Sequence, residues 1–154
     1  MAKRVRIGDV MQILSSQGVS YAQVSHKHTQ YGFLIRVMPG TYDRKPQEFS
    51  AVVDQEPQFS TFFLVQTGIN QGLFAIVANV PVAPRNQAFP TFRTTGYGRN
   101  GERGSWWLWD GQDEVRLDRL LTDAEKRYPL RGIISAPLLV ERIDKGYRAE
   151  IDDV

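Results

Sequence analysis

Cysteine is absent from the 154 residues, and histidine occurs only twice, at positions 26 and 28. The lack of cysteine excludes disulfides and thiolate chemistry and is typical of proteins in a reducing cytosol. No run approaches the about eighteen consecutive apolar residues that a membrane-spanning helix needs. The opening MAKRVRIGDV lacks the apolar segment of a signal peptide. We therefore expect a cytoplasmic protein that does not enter a membrane.

Residues suited to catalysis are also scarce. There is no cysteine nucleophile and no G-x-S-x-G motif, and both histidines belong to one short His-x-His stretch. The carboxylates of Asp110, Asp113 and Glu114 surround an Asp-Gly turn, where such side chains usually cap backbone amides and face water. We expect a protein that is not an enzyme and that needs no cofactor.

The charges lie in blocks of alternating sign. Residues 1–45 carry a net charge of +5 and residues 85–109 of +3, whereas residues 46–84 and 110–154 carry −3 each. Blocks of this kind steer association with a protein partner or with nucleic acid, although an ordinary solvated surface gives the same pattern. The net charge of +2 does not demand a polyanionic partner.

The N-terminal stretch RIGDVMQILSSQGVSYAQVSHKH fits either a helix or strands. A helix beginning at Val10 would reach Gly18 after barely two turns. Strands fit better and predict a β-meander over Arg4–Ile13, Val19–Lys27 and Gly32–Met38, with a bend or bulge at Asp9. Because 154 residues are enough for one ordinary domain, we expect a single domain over 1–154.

Further elements follow along the chain. Strands are predicted over 48–54, 62–65, 73–82 and 105–109, and a helical turn after residue 65 closes at Gly72. Thr122 and Glu125 form a capping box for a short helix, and Ser135 caps a second helix that stops at Gly146. The resulting fold class is α+β and β-rich: a strongly bent antiparallel sheet or partly open barrel with two short C-terminal helices.

Several short motifs lie in the predicted strands. IGDVMQI is followed by GVSYAQV and YGFLIRVMPG, and later by Ala78-Asn79-Val80-Pro81-Val82 and Pro90-Thr91-Phe92. In this order the motifs resemble the bacterial immunity-protein family of polymorphic toxin systems catalogued as immunity protein 26. The resemblance covers roughly residues 5–95 and, more loosely, LLVERIDKGY. It implies a non-catalytic protein that binds and occludes a cognate toxin.

Two motifs suggest ligands. On a strand, His26 and His28 would lie on one face, as metal ligands do, but no third ligand stands at a suitable spacing, so an exposed polar face is the alternative. Gly96–Gly101 matches G-x-G-x-x-G. The dinucleotide fingerprint requires a strand before it and a helix after it, whereas here the aromatic strand SWWLW follows. A loop or long hairpin is therefore expected.

The stretch from Phe92 to Trp107 holds the best candidates for binding a partner. Trp, Tyr and Arg dominate binding hot spots, although an aromatic strand is more often core. The predicted partner-binding residues are Arg93, Tyr97, Arg99, Arg103 and Trp106. The same mixture of arginine, glycine and aromatic residues suits single-stranded nucleic acid, so a nucleic-acid-binding module using residues 93–107 is the alternative function.

Overall fold

The computed structural model describes residues 4–97 and 99–151. Within them the chain forms two compact units, residues 4–88 with 132–147 and residues 89–131 with 148–151. The predicted β-rich α+β class is confirmed, with the strands divided between a six-stranded and a three-stranded sheet. The single domain expected from the chain length stays a prediction.

The predicted β-meander forms the centre of the first unit. Its strands are β1 (Asp9–Ser15), β2 (Gly18–His28) and β3 (Gly32–Val37), which pair antiparallel in chain order. The predicted strand Arg4–Ile13 began too early: residues 4–8 precede β1, because a turn lies immediately before it. In this turn the Asp9 amide donates to the Arg6 carbonyl at 3.1 Å.

Three further strands extend the sheet on both sides. These are β4 (Phe59–Phe63), β5 (Ala75–Asn79) and, late in the chain, β9 (Ile133–Ile134). The strand order is β5-β1-β2-β3-β4-β9, and only β9 pairs parallel to its neighbour β4. A buried strand over residues 73–82 was predicted, but β5 is shorter and only partly buried, because it pairs with β1 alone at the sheet edge.

Each face of this sheet buries its own apolar cluster. One face packs against α2 (Val65–Asn70) and α3 (Ala136–Asp144). The other face packs against α1 (Ser50–Val53), whose Val52 and Val53 meet Tyr21 of β2. Burial on both faces excludes water from the β2 and β3 backbones and makes the centre of the sheet the most buried part of this unit.

The helix α1 corrects a prediction, because residues 48–54 had been expected to form a strand. Phe49, Val52 and Val53 are buried, whereas Ser50 and Ala51 between them are exposed. This spacing of three and four residues is that of a helix face, not the alternation of a strand. In so short a segment the sequence pattern fits a strand or a helix, and the packing against Tyr21 decides for the helix.

The predicted start and end of α3 are confirmed. The Ser135 hydroxyl accepts a hydrogen bond from the Leu138 amide at 3.3 Å, which satisfies one of the free amides of the first turn. Gly146 follows the helix with a φ of +64°, the left-handed conformation that ends helices. Leu139 and Ile143 are buried against the sheet, as the sequence predicts.

Residues of the IGDVMQI motif and of the Ala78–Val82 segment form a hydrogen-bonded junction between β1 and β5. The Asn79 side-chain amide donates to the Ile7 carbonyl at 3.0 Å and to Asp9 Oδ1 at 2.9 Å, and Asp9 Oδ2 accepts from the Arg6 amide. Gly8 has a φ of +93°, and a Cβ there would lie 2.7 Å from the Val80 carbonyl oxygen. These motif residues therefore fix the start of the meander.

The second unit contains an antiparallel three-stranded sheet. Its strands are β6 (Phe92–Tyr97), β7 (Arg103–Trp109) and β8 (Glu114–Arg116), in that order. Short 3₁₀ helices follow at Glu125–Arg127 and Ala149–Ile151. The capping box predicted for the first of these is present: the Thr122 amide donates to Glu125 Oε1 at 2.9 Å, and the Glu125 amide donates to Thr122 Oγ1 at 3.2 Å.

Candidate interaction surface

The predicted partner-binding residues lie on the hairpin of β6 and β7 in the second unit. Thr95 pairs with Trp106 and Tyr97 with Arg103, with a bulge between the two pairs. Arg99 is exposed in the connecting turn, and Arg103 is exposed on β7. Gly98 and the side chain of Tyr97 lie outside the described residues. The structure thus brings the candidates onto one hairpin but gives them different environments.

Arg93 is inside the unit, because its side chain is only 2% exposed. Its Nε donates to the Tyr128 carbonyl at 3.0 Å, and its Nη2 donates to the Ala149 carbonyl at 2.7 Å. Its guanidinium also lies over the Trp106 ring, 5.1 Å from the ring centroid. Arg93 therefore connects β6 to two segments that are distant in sequence.

Trp106 is also buried, with 6% of its surface exposed. The guanidinium of Arg103 lies 5.5 Å from the Trp106 centroid, and that of Arg93 lies at a similar distance. Trp109, at 5% exposure, packs against Phe89 and Phe92. Two of the three tryptophans are therefore core, in agreement with the usual place of an aromatic strand, and Trp107 is half-buried.

An open depression of about 680 Å³ lies beside this hairpin, wholly within the second unit. Two chain segments line it, Arg103–Trp106 of β7 and Arg116–Leu120 at and after β8. We call it the arginine groove, because Arg103, Arg116 and Arg119 lie along it. Asp118 is the one acidic residue among its lining residues.

Hydrogen bonds orient two of the groove arginines. Arg116 Nε donates to the Ser105 hydroxyl at 3.1 Å, across the β7–β8 pair. Arg119 makes two parallel bonds to the Glu125 carboxylate, from Nη1 at 2.7 Å and from Nη2 at 2.9 Å. Such a paired geometry fixes the plane of the guanidinium as well as its position. The groove is therefore lined by cationic groups with defined directions.

The Glu125 carboxylate holds Arg119 in position. It is buried, and besides Arg119 it accepts from the Thr122 backbone amide of the capping box. The hydrogen bonds from Arg119, followed by the bond from the Thr122 amide, lower the pKa of Glu125 from 4.5 to about 2. The carboxylate is therefore ionised at neutral pH and holds the loop after β8 in one conformation.

An exposed leucine is among the residues that line the groove. Leu120 is 84% exposed, and Val115 on β8 is 60% exposed. A large apolar side chain beside guanidinium groups resembles the composition of interface hot spots more than that of an inert surface. The sequence did not single out Arg116, Arg119 and Leu120. The signal that could have found them is EVRLDRL, where leucine and valine are interspersed with charged residues after a turn.

The His-x-His and G-x-G-x-x-G motifs are engaged in hydrogen bonds and strand pairing. His26 Nε2 bonds to the Gln87 carbonyl at 2.7 Å, and His28 Nδ1 accepts from the Gln30 and Tyr31 amides. In the described part of the chain, no three His, Cys, Asp or Glu residues are grouped as a metal site would require. Gly96 lies in β6 and Gly101 lies in the bend before β7, so the described residues of the G-x-G-x-x-G motif belong to the β6–β7 hairpin.

The carboxylates after β7 cap a turn, as the sequence predicts for Asp110. Asp110 Oδ1 accepts from the Gln112 amide at 3.0 Å and from the Asp113 amide at 2.8 Å. These bonds, the one from the Asp113 amide first, lower the pKa of Asp110. Its carboxylate is therefore occupied in shaping the β7–β8 turn.

Comparison with known proteins adds no relative. No family model, curated protein or solved structure matches this chain. Among the described residues, no helix has the length and apolar character to cross a membrane.

Proposed function

We propose that this chain is a non-catalytic protein of the immunity type, which binds and occludes a bacterial toxin through the arginine groove. The observation that carries the proposal is the combination of Arg103, Arg116 and Arg119 with the 84% exposed Leu120 on one open surface. Interfaces of this composition bind a partner by a few strong contacts surrounded by weaker ones.

The groove suits a partner surface that carries carboxylates. A guanidinium presents a planar fork of donors that matches a carboxylate with two parallel bonds. Arg116 is already oriented by Ser105, so less side-chain entropy is lost when it binds. Arg119 already holds Glu125 with both terminal nitrogens, so it contributes positive charge and fixes the loop after β8. Leu120 would then enter an apolar pocket of the partner, next to its acidic groups.

Nucleic acid is the second candidate, and one observation favours it: three arginines line an open surface of the second unit. A second observation favours a protein. Bases bind single-strand proteins by stacking on exposed aromatic rings, whereas Trp106 is buried, with Arg93 and Arg103 over its ring.

A growth assay tests the proposed function. Each gene that flanks this chain's gene is expressed in bacteria, alone or with this chain. We expect one flanking gene product to stop growth, and we expect growth to be restored by the unmodified chain and not by the Arg103→Ala, Arg116→Ala double variant. Arg44→Ala, an exposed arginine in the first unit, is the matched control and should restore growth. No restoration by the unmodified chain would contradict the proposal.

A further inference from the structure

A polar cluster is buried on the face of the six-stranded sheet that packs against α1. It begins at a β-bulge in β2: Val24 pairs with Ile35 and His26 with Leu34, so Ser25 is the extra residue. A bulge of this kind redirects side chains that strict alternation would send to opposite faces. As a result the Ser25 hydroxyl lies 2.8 Å from His26 Nδ1 and 3.1 Å from Arg36 Nε.

Arg36 joins this cluster to the chain segment 86–88. The residue is only 6% exposed. Its Nη1 donates to the Ser60 hydroxyl at 3.1 Å, and its Nη2 donates to the carbonyls of Asn86 at 3.2 Å and Ala88 at 2.9 Å. All these acceptors are neutral, and burial lowers the pKa of Arg36 to about 10. Arg36 therefore stays charged at neutral pH.

The hydrogen-bond partners determine where the protons lie. The Gln87 carbonyl can only accept, so His26 Nε2 must carry a hydrogen to make its 2.7 Å bond. In a neutral ring Nδ1 is then an acceptor, and the Ser25 hydroxyl donates to it. The Ser25 oxygen accepts in turn from Arg36 Nε. The bonds run in one direction from Arg36 through Ser25 and His26 to Gln87.

We propose that Ser25, His26 and Arg36 form a pH-sensitive latch on Gln87 and Ala88, closed by neutral His26 and opened when His26 takes up a proton. A protonated ring has hydrogens on both nitrogens, so Nδ1 can no longer accept from Ser25. The Ser25 oxygen would then face two cationic donors, and its own hydrogen would lose His26 as acceptor. His26, which is half-buried, leaves this arrangement more readily than the buried Arg36.

The charges around His26 favour the neutral ring. Arg36 approaches from β3, and Ser60, the group contributed by β4, is uncharged. On β2, Lys27 lies over the Phe33 ring, and in the 84–88 segment Arg85 pairs with Asp54. Burial, opposed by the bond to Gln87 and assisted by Arg36, lowers the pKa of His26 from 6.5. The latch is therefore fully closed above pH 6.5 and is lost as the pH falls through the lowered value.

Opening should be local. The Asn86 side chain donates to the carbonyls of Val53 and Gln55, and neither bond involves a titrating group. The Gln87 amide, which donates to the Pro84 carbonyl at 3.3 Å, reports on the latch. The Met38 amide, which donates to the Tyr21 carbonyl in the sheet, reports on unfolding of the whole unit.

Amide hydrogen exchange of the full chain at pH 7.5 and pH 5 tests the latch. We expect the protection factor of the Gln87 amide to fall as the pH drops below 6.5, by up to about tenfold per pH unit, until the lowered pKa of His26 in the closed latch is reached. The protection factor of the Met38 amide should not change. His26→Gln keeps a donor for the Gln87 carbonyl without titrating, and should remove the pH response. His28→Gln, on the same strand, is the matched control and should retain it. An equal response in His26→Gln would overturn the latch.

A measurement on the unmodified protein does not depend on whether the variants fold. Nitrogen chemical shifts of the His26 ring at pH 7.5 distinguish the two neutral forms. We expect hydrogen on Nε2 and none on Nδ1, and a titration midpoint below that of a free histidine. Hydrogen on Nδ1 at neutral pH, or a midpoint above 6.5, would contradict the direction of the bonds and with it the latch.

Discussion

At the residue scale, buried arginines serve as connectors in both units. Arg36 binds two hydroxyls and two carbonyls, and Arg93 binds two carbonyls and stacks on Trp106. A guanidinium has five donors in one plane, so a single side chain can satisfy acceptors from several segments at once. When the arginine is replaced, those carbonyls stay buried without a donor. The resulting loss of stability is larger than the net contribution of the hydrogen bonds themselves.

Replacing Arg36 by lysine therefore reduces stability even though the charge is kept. An ammonium has three donors around one point and cannot reach Ser25, Ser60 and the two carbonyls together. We expect the free energy of unfolding to fall by about 2 kcal/mol or more. Urea denaturation measures this change. Arg85→Lys, at the exposed pair with Asp54, is the control and should change stability by less than about 1 kcal/mol.

Gly111 is a second position where one residue decides local structure. Its φ is +101°, and a Cβ would lie 2.7 Å from the Phe89 ring. We expect Gly111→Ala to destabilise the protein by about 1–3 kcal/mol in urea denaturation, because strain and overlap act together. Gly101 has a φ of +78° but open space around it, so Gly101→Ala isolates the strain. Equal losses in the two variants would show that the overlap with Phe89 has no effect.

At the element scale, the loop after β8 depends on one ion pair and one capping box. Glu125 joins Arg119 to Thr122, so the orientation of a groove arginine depends on the ionisation of a buried carboxylate. The pKa of Glu125 is lowered from 4.5 to about 2, so its stabilising effect is complete above pH 4.5 and is lost as the pH falls towards 2.

Arg119→Ala should raise the pKa of Glu125, because the largest cause of its lowering is removed. A carboxyl titration followed by NMR measures the change directly. We expect the midpoint to move from about 2 towards 4.5, while the bond from the Thr122 amide keeps it below that value. An unchanged midpoint would contradict the assigned role of Arg119. Arg44→Ala removes an exposed arginine of the first unit and is the control, which should leave the midpoint of Glu125 unchanged.

The elements differ in how far the sequence predicts them. The β1–β3 meander and the caps of α3 were predicted because alternation, turn glycines and a capping serine are local signals. The strand predicted at 48–54 is instead α1, since the choice depends on packing against Tyr21 of β2. For the site, Arg93 and Trp106 were predicted to bind a partner but are buried. The carbonyls that bind the buried Arg93 belong to Tyr128 and Ala149, which lie 35 and 56 residues away in sequence, so local patterns could not predict this burial.

At the scale of the whole molecule, the salt dependence of binding distinguishes a nucleic-acid-binding protein from one that binds a protein partner. A site that neutralises phosphates releases counterions, so its affinity falls steeply as salt rises. A protein interface with an apolar anchor depends on salt mainly through its association rate. We expect no binding, or weak binding abolished by salt, to single-stranded DNA or RNA at physiological ionic strength. Sub-micromolar binding that Arg99→Ala with Arg103→Ala abolishes would favour a nucleic-acid-binding module.

Titration calorimetry with the flanking gene product that stops growth, used as the toxin domain, tests the central proposal most directly. We expect binding by the unmodified chain, and a dissociation constant higher by about tenfold or more for Arg103→Ala with Arg116→Ala and for Leu120→Ala. The Arg44→Ala control should bind like the unmodified chain. If the groove variants bind the toxin domain as tightly as the unmodified chain does, the arginine groove is not the interface.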